Sequence, residues 1–183
     1  LGAEITKGFA KGGVVVQGHY RDFDDYQSPH GEVPNSGATD QGFLGRGEYD
    51  IGKAVFSVAW QSDFGRDIDR PRNNSRTVRF YYPIEDSHRL TANYDLRRMG
   101  GFERIVINAF GGRYRQMTDQ DRFASATGGR SLERSDYSAN DFQFRGSAER
   151  LASKARLEFG VDINGRVNVS ALDTVRQYNL ADT

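Results

Sequence analysis

Apolar and polar side chains alternate with a period of two through much of this chain, the pattern of a strand with one face turned to an apolar medium. From Val14 to Arg21, Val14, Val16, Gly18 and Tyr20 oppose Val15, Gln17, His19 and Arg21. Phe43–Asp50 sets Phe43, Gly45, Gly47 and Tyr49 against Leu44, Arg46, Glu48 and Asp50. Ala54–Gln61 sets Ala54, Phe56, Val58 and Trp60 against Val55, Ser57, Ala59 and Gln61. In His88–Arg97, Leu90, Ala92, Tyr94 and Leu96 oppose Arg89, Thr91, Asn93, Asp95 and Arg97. Asp141–Glu149 and Ala155–Asn164 repeat the scheme, with Phe142, Phe144, Gly146 and Ala148, then Leu157, Phe159, Val161 and Ile163, on their apolar sides. No helical period competes. One run breaks step: between Phe102 and Gln116, Ile105, Ile107 and Ala109 share a face that Phe110, Gly112 and Tyr114 do not. A β-bulge near Ala109–Phe110 reconciles them, and so does burial of both faces.

The connections add more than the strands. Asp50–Lys53, Met99–Gly101 and Leu151–Lys154 read as tight hairpin links. Between them lie long polar stretches, Asp22–Gln41, Ser62–Ser87 and Thr118–Asn140, which read as loops. Loops beyond ~12–15 residues are uncommon in compact domains, whereas short turns alternating with long loops characterise outer-membrane barrels. Each run is also near the ~9–11 residues of a membrane-crossing strand. Leu1–Gly12 adds the tail of an earlier strand around Glu4-Ile5-Thr6, and beyond Gly165 the pattern fades into an expected loop, with one or two helical turns open over Ala171–Ala181. The expected fold is all-β: an antiparallel up-and-down meander of about seven or eight strands. It forms part of a transmembrane outer-membrane β-barrel, with residues 1–183 as one partial barrel domain.

Composition agrees. Only 37% of residues are hydrophobic, too few for an ordinary soluble core, yet nine Tyr, twelve Phe and balanced charges (25 basic, 25 acidic) argue against disorder. A soluble β-sandwich needs more Val, Ile and Leu than these strands supply. With zero net charge nothing pulls the chain toward nucleic acid, and with no cysteine there is no disulfide framework. No signal sequence opens the chain and no run approaches the ~20 apolar residues of a membrane helix. The chain begins at Leu1, partway into a pattern, so a section of a longer protein is expected.

Several stretches resemble TonB-dependent outer-membrane receptors: Asp24-Asp25-Tyr26 with Pro29, Gly31 and Val33–Gly37; Asp63–Ile68; Tyr81-Tyr82-Pro83; Thr118–Arg122; and Gly160–Arg166. The resemblance covers most of the chain but is spread through loops and strand patterns. It implies an active-transport barrel in the bacterial outer membrane, taking up a scarce small-molecule nutrient such as a ferric siderophore. It also implies a plug through which the TonB energy-coupling complex acts. No plug, coupling segment or terminal aromatic residue is seen, so a middle section of the barrel wall is expected, about a third of ~22 strands. Its two open edges invite pairing. A complete eight-stranded barrel in adhesion or envelope structure is the alternative, and a soluble β-sandwich binding module a further one.

Candidate chemistry is sparse. Arg70, Arg72, Arg76 and Arg79 crowd one stretch with Tyr81 and Tyr82, a possible grip for an anionic ligand because guanidinium forks carboxylates. The plainer reading has these arginines meeting lipopolysaccharide phosphates or their acidic neighbours Asp67, Asp69, Glu85 and Asp86. Polar faces such as Arg89, Asp95, Arg145, Glu149, Arg156 and Asp162 should form cross-strand charge ladders inside the barrel. Trp60, Tyr49, Tyr94 and Phe102 suit an interfacial aromatic girdle. Asp24, Asp25 and His30 share a loop, where carboxylates are usually solvated. There is no EF-hand spacing and no Gly-x-Ser-x-Gly elbow, so no metal, cofactor or enzymatic activity is expected. Gly42, Gly45 and Gly47 fall on an alternating strand, unlike a phosphate loop.

Overall fold

A computed structural model describes residues 1–71, 77–123, 129–153 and 155–178. They hold essentially no helix and ten strands: β1 (Gly2–Phe9), β2 (Gly12–Phe23), β3 (Gln27–Ser28), β4 (Gly31–Glu32), β5 (Ala38–Asp50), β6 (Ala54–Asp69), β7 (Val78–Met99), β8 (Phe102–Arg122), β9 (Arg130–Ala152) and β10 (Ala155–Tyr178). Eight of them form one antiparallel sheet in the order β1-β2-β5-β6-β7-β8-β9-β10, and β3 and β4 make a small ribbon between β2 and β5. The strands of the large sheet follow one another in chain order, with only the β3–β4 ribbon interposed between β2 and β5, as the meander predicts. The sheet is open, with β1 and β10 on opposite edges. Among the described residues no second large sheet packs against it, unlike a β-sandwich.

Register converts the separate alternations into two continuous faces. Tyr49, Phe56, Tyr94, Ile107, Gly146 and Val161 stand side by side in one row. The next row holds Val14, Gly47, Val58, Ala92, Ala109, Phe144 and Ile163, and the one after it Val16, Gly45, Trp60, Leu90, Gly111, Phe142 and Gly165. Ala54, Leu96, Ile105, Ala148 and Phe159 form a fourth row nearer the turns. A slip of one residue would turn polar faces such as Arg89, Asn93 and Asp95 of β7 or Gln143 and Arg145 of β9 into this band, so the pattern itself fixes the pairing. There is almost no interior: Ala54, Leu96 and Ala139 are the buried apolar residues among those described, while Trp60, Phe142, Phe144, Phe159 and Ile163 are exposed.

The tight links are hairpin turns. Gly100 and Gly101 take φ of 61° and 83°, the left-handed conformation at both central positions that a two-residue hairpin needs. In the β5–β6 link, the Gly52 amide donates to the Asp50 carboxylate at 2.7 Å, and Gly52 has φ of 91°.

Three expectations need correction. Two of the polar stretches read as long loops, Ser62–Ser87 and Thr118–Asn140, are mostly strand in their described parts: β6 continues to Asp69, β7 starts at Val78, β8 continues to Arg122 and β9 starts at Arg130. Beyond Gly165 the chain is the rest of β10 to Tyr178, without helical turns in its described part. Cross-strand Arg–Asp pairs replace apolar contacts there, so strand persists without alternation. The bulge is also elsewhere. Pairing runs unbroken through Ala109 and Phe110, so Phe110, Gly112 and Tyr114 lie on the polar face and Ile105, Ile107 and Ala109 on the apolar one. Irregularities fall between Tyr81 and Ile84 and between Val167 and Ser170. The first contains Pro83, which has no amide to give a ladder, opposite Asp67 with φ of 47°. The second contains Asn168 with φ of 52°.

Candidate functional site

The Pro83 bulge decides the fate of the predicted arginine–tyrosine cluster. It shifts the alternation by one residue, so Tyr81 and Arg79 join the face of the apolar band while Tyr82 moves to the polar face. On the first face, Arg79 forks the Asp69 carboxylate at 2.9 and 3.0 Å and lies over the Tyr81 ring at 4.2 Å. The bond to Asp69 raises the Arg79 guanidinium pKa above its ordinary value. The Tyr81 hydroxyl donates to Asp119 at 3.2 Å, and burial, with the Asp119 charge added, pushes that phenol up. Arg130 forks Asp121 on the same face, at 2.9 and 2.5 Å.

On the other face, the Arg70 guanidinium stacks on the Tyr82 ring at 4.5 Å, and Tyr82 meets Phe80 edge-on at 5.8 Å. Arg72 and Arg76 lie outside the described residues. The described members therefore do not converge on one ligand. Arg79 is engaged by an acidic neighbour from the plainer reading, Asp69. Of the other acids named there, Asp86 pairs with Arg66, and Glu85 accepts the Tyr114 hydroxyl at 3.2 Å.

The polar face carries the expected ladders. Arg104 forks Asp95 at 3.0 and 2.8 Å, Arg166 forks Asp141 at 2.7 and 3.1 Å, Arg145 and Gln143 share Asp162, and Arg156 meets Glu149. Asp40 holds Arg21 at 2.6 Å and His19 at 3.2 Å. Midway along this face lies a shallow recess of about 270 Å³, lined by Ser87, Arg89, Phe110, Gly112, Tyr114 and Tyr137 among others. Aromatic walls with arginine at the rim can hold a polar or anionic solute by stacking and charge. The clue in the sequence was the departure of Phe110, Gly112 and Tyr114 from the apolar parity, because not every side chain on the polar face is polar.

The four aromatics expected at an interface take different positions in the sheet. Tyr49 and Tyr94 flank Phe56 in one row toward the turns, and Trp60 contacts Phe43 edge-on at 5.8 Å toward the far margin of the band. Trp60 is inside the long β6, not at a strand end. Phe102 departs: as the first residue of β8 opposite Met99, it falls on the polar face, in step with Arg104. Asp25 acts as a loop organiser. Its carboxylate accepts the backbone amides of Asn35, Ser36 and Gly37 at 2.9, 2.6 and 3.0 Å, which hold its pKa below the ordinary range. Ser62 and His88 share a hydrogen bond at 2.9 Å at the edge of the apolar band, where Ser62 is only 3% exposed and out of reach of a substrate. Gly42, Gly45 and Gly47 lie within β5. Among the described residues no cluster of His, Asp and Glu is arranged to hold a metal, and no helix is long and apolar enough to cross a membrane.

Compared with protein-family models, curated proteins and solved structures, the chain finds no match.

Proposed function

We propose that this sheet is a section of a bacterial outer-membrane β-barrel wall of the TonB-dependent receptor kind, serving uptake of a scarce nutrient. One observation carries the reading: from β2 to β10 a single-layer sheet has an apolar band on one face and Arg–Asp ladders on the other. In water such a band is an exposed patch far larger than a monomer tolerates. In a barrel it faces lipid, and the ladders face a wet lumen. Leu157 to Val167 span about 34 Å along β10 at ~3.4 Å per residue, enough at ~45° tilt to cross a ~25 Å apolar belt. β7 to β10, at 21 to 24 residues each, overshoot that belt on the side away from the tight turns. There the band face changes to the Arg79–Asp69, Arg134–Asp119 and Arg130–Asp121 pairs, whose surroundings are headgroups and lipopolysaccharide. The open sheet and its very long strands favour the large receptor over a complete eight-stranded barrel.

The TonB energy-coupling complex would act through a plug domain of the full-length receptor, and the recess beside Arg89 gives the lumen a place to meet solute. Growth of a deletion strain on defined iron and cobalamin sources tests uptake. A deficit on one source, restored by the full-length gene, supports transport; normal growth on every source contradicts it.

A further inference from the structure

Four successive rows cross the polar face over β7, β8 and β9. Counted from the tight turns they are Asn93–Asn108–Arg145, Thr91–Phe110–Gln143, Arg89–Gly112–Asp141 and Ser87–Tyr114–Ala139. Two recesses open on these rows. The one nearer the turns, about 290 Å³, is lined by the amides of Asn93, Asn108 and Gln143 and by the Thr91 hydroxyl. The other is the recess of about 270 Å³ around Arg89, Tyr114 and Tyr137, and Phe110 lines both. Gly112 makes room for that ring, since a Cβ there would stand 2.9 Å from Phe110 Cζ.

The patch differs from the rest of the polar face in its unpartnered groups. Arg104, Arg145, Arg156 and Arg166 each hold a carboxylate. Arg89 is exposed and stands between Gln61 and Gly112, and among the described residues nothing bonds or pairs with its guanidinium. The Asn108 amide, between Asn93 and Arg145, is equally free among them. Tyr137 accepts from Arg166 at 3.1 Å and keeps its own proton to donate.

An amide carries a donor and an acceptor side by side, the complement of neighbouring sugar hydroxyls. An aromatic ring offers an apolar surface to the C–H face of a sugar, and a free guanidinium forks one carboxylate. A ligand of many charges finds little more to grip, because Asp162 and Asp141 already occupy Arg145 and Arg166. The Asn108 and Arg89 rows lie about 14 Å apart at ~3.4 Å per residue, a span that two linked sugar rings and the Arg89 stem cover. We infer that the two recesses bind an acidic oligosaccharide, one sugar ring in each. Its hydroxyls meet the amides of Asn93 and Asn108, its rings stack about Phe110, and its carboxylate takes Arg89. The inference goes beyond uptake and needs only the polar face of the sheet, so its failure leaves the membrane reading standing.

Isothermal titration of the full chain, folded in zwitterionic detergent micelles, with digalacturonate, uncharged galactobiose and citrate tests the site. Digalacturonate is expected to bind about tenfold more tightly than galactobiose, the difference one forked carboxylate makes on an exposed arginine. R89Q should remove that preference and leave galactobiose binding unchanged. F110A and N108A should each weaken both sugars about fivefold. Arg89 and Asn108 fasten nothing in the sheet, so circular dichroism should show unchanged strand content in R89Q and N108A, even where F110A loosens the fold. Failure of the wild type to bind either sugar overturns the site, as does digalacturonate affinity that is unchanged in both R89Q and N108A. Citrate binding as tight as that of digalacturonate, and lost in R89Q, marks a plain anion site and overturns the sugar assignment.

Discussion

Arg134 of β9 stands directly opposite Asp119 of β8 and gives both arms of its guanidinium to that carboxylate, at 2.7 and 2.6 Å, while Asp119 itself is completely buried. The Tyr81 hydroxyl completes the set from β7. Removing Arg134 leaves a buried charge with one neutral donor. Breaking a buried pair costs ~3–5 kcal/mol, but the Arg134 side chain is 43% exposed, so water offsets part of the loss. Arg134→Ala should destabilise the distal end of the sheet by about 1–3 kcal/mol, read as faster hydrogen exchange in β8 and β9 beyond Arg115. Arg134→Lys should recover only part, because an ammonium cannot fork.

Acid should loosen the same region. The Arg115 guanidinium, at 3.2 and 2.8 Å, holds the Asp136 carboxyl below the ordinary range. Because the folded pKa is depressed, the pair's contribution is fully present above the unfolded value of about 3.9 and is lost as pH falls through the folded value. Asp25 adds the same sign in its loop through its three backbone amides. Protease susceptibility of the distal strands should therefore rise below about pH 4. In Asp136→Asn the protection from this pair should be absent at neutral pH and its acid dependence flattened.

The two faces make opposite demands at neighbouring positions. Ile107 lies in the apolar band, and Asn108 lines a polar recess with Thr91 and Gln143. Ile107→Arg should cost about 1–2 kcal/mol of stability in a bilayer, because its row with Tyr49 and Tyr94 lies between the lipid midplane, where arginine costs ~2–4 kcal/mol, and the interface. Asn108→Arg should cost well under 1 kcal/mol, as an ordinary polar-site change. Folding yields in vesicles by gel-shift compare them. Equal losses would mean that the face assignment is wrong.

Where one face of the sheet is apolar throughout, its alternation could be read directly, and Val14–Tyr20, Leu90–Leu96 and Leu157–Ile163 lie as that alternation implied. The distal halves were not legible. Asp119, Asp121, Arg130 and Arg134 look like loop composition, and only pairing across strands shows them to be the sheet's own fastening. Parity could not be carried past Pro83 or Asn168 either, because each bulge swaps the faces beyond it. As strand neighbours Tyr81 and Tyr82 point to opposite faces, and the swap decides which face each takes, dividing the arginine cluster that sequence proximity had joined. Phe110 and Tyr114 misled in the other direction, since an aromatic on the wet face mimics a register break.

The central claim is that the Phe56–Trp60–Leu90–Phe144 side of the sheet faces lipid, and the molecule carries its own probe of it. Trp60 is the single tryptophan, 54% exposed, toward the far margin of the band. Its fluorescence should be measured in vesicles of lipids brominated at successive acyl depths. Lipid exposure predicts a blue-shifted emission, strong quenching by shallow bromines and weaker quenching by those at the bilayer centre. Emission characteristic of water, unquenched at every depth in the folded vesicle-bound chain, would contradict a membrane-facing sheet.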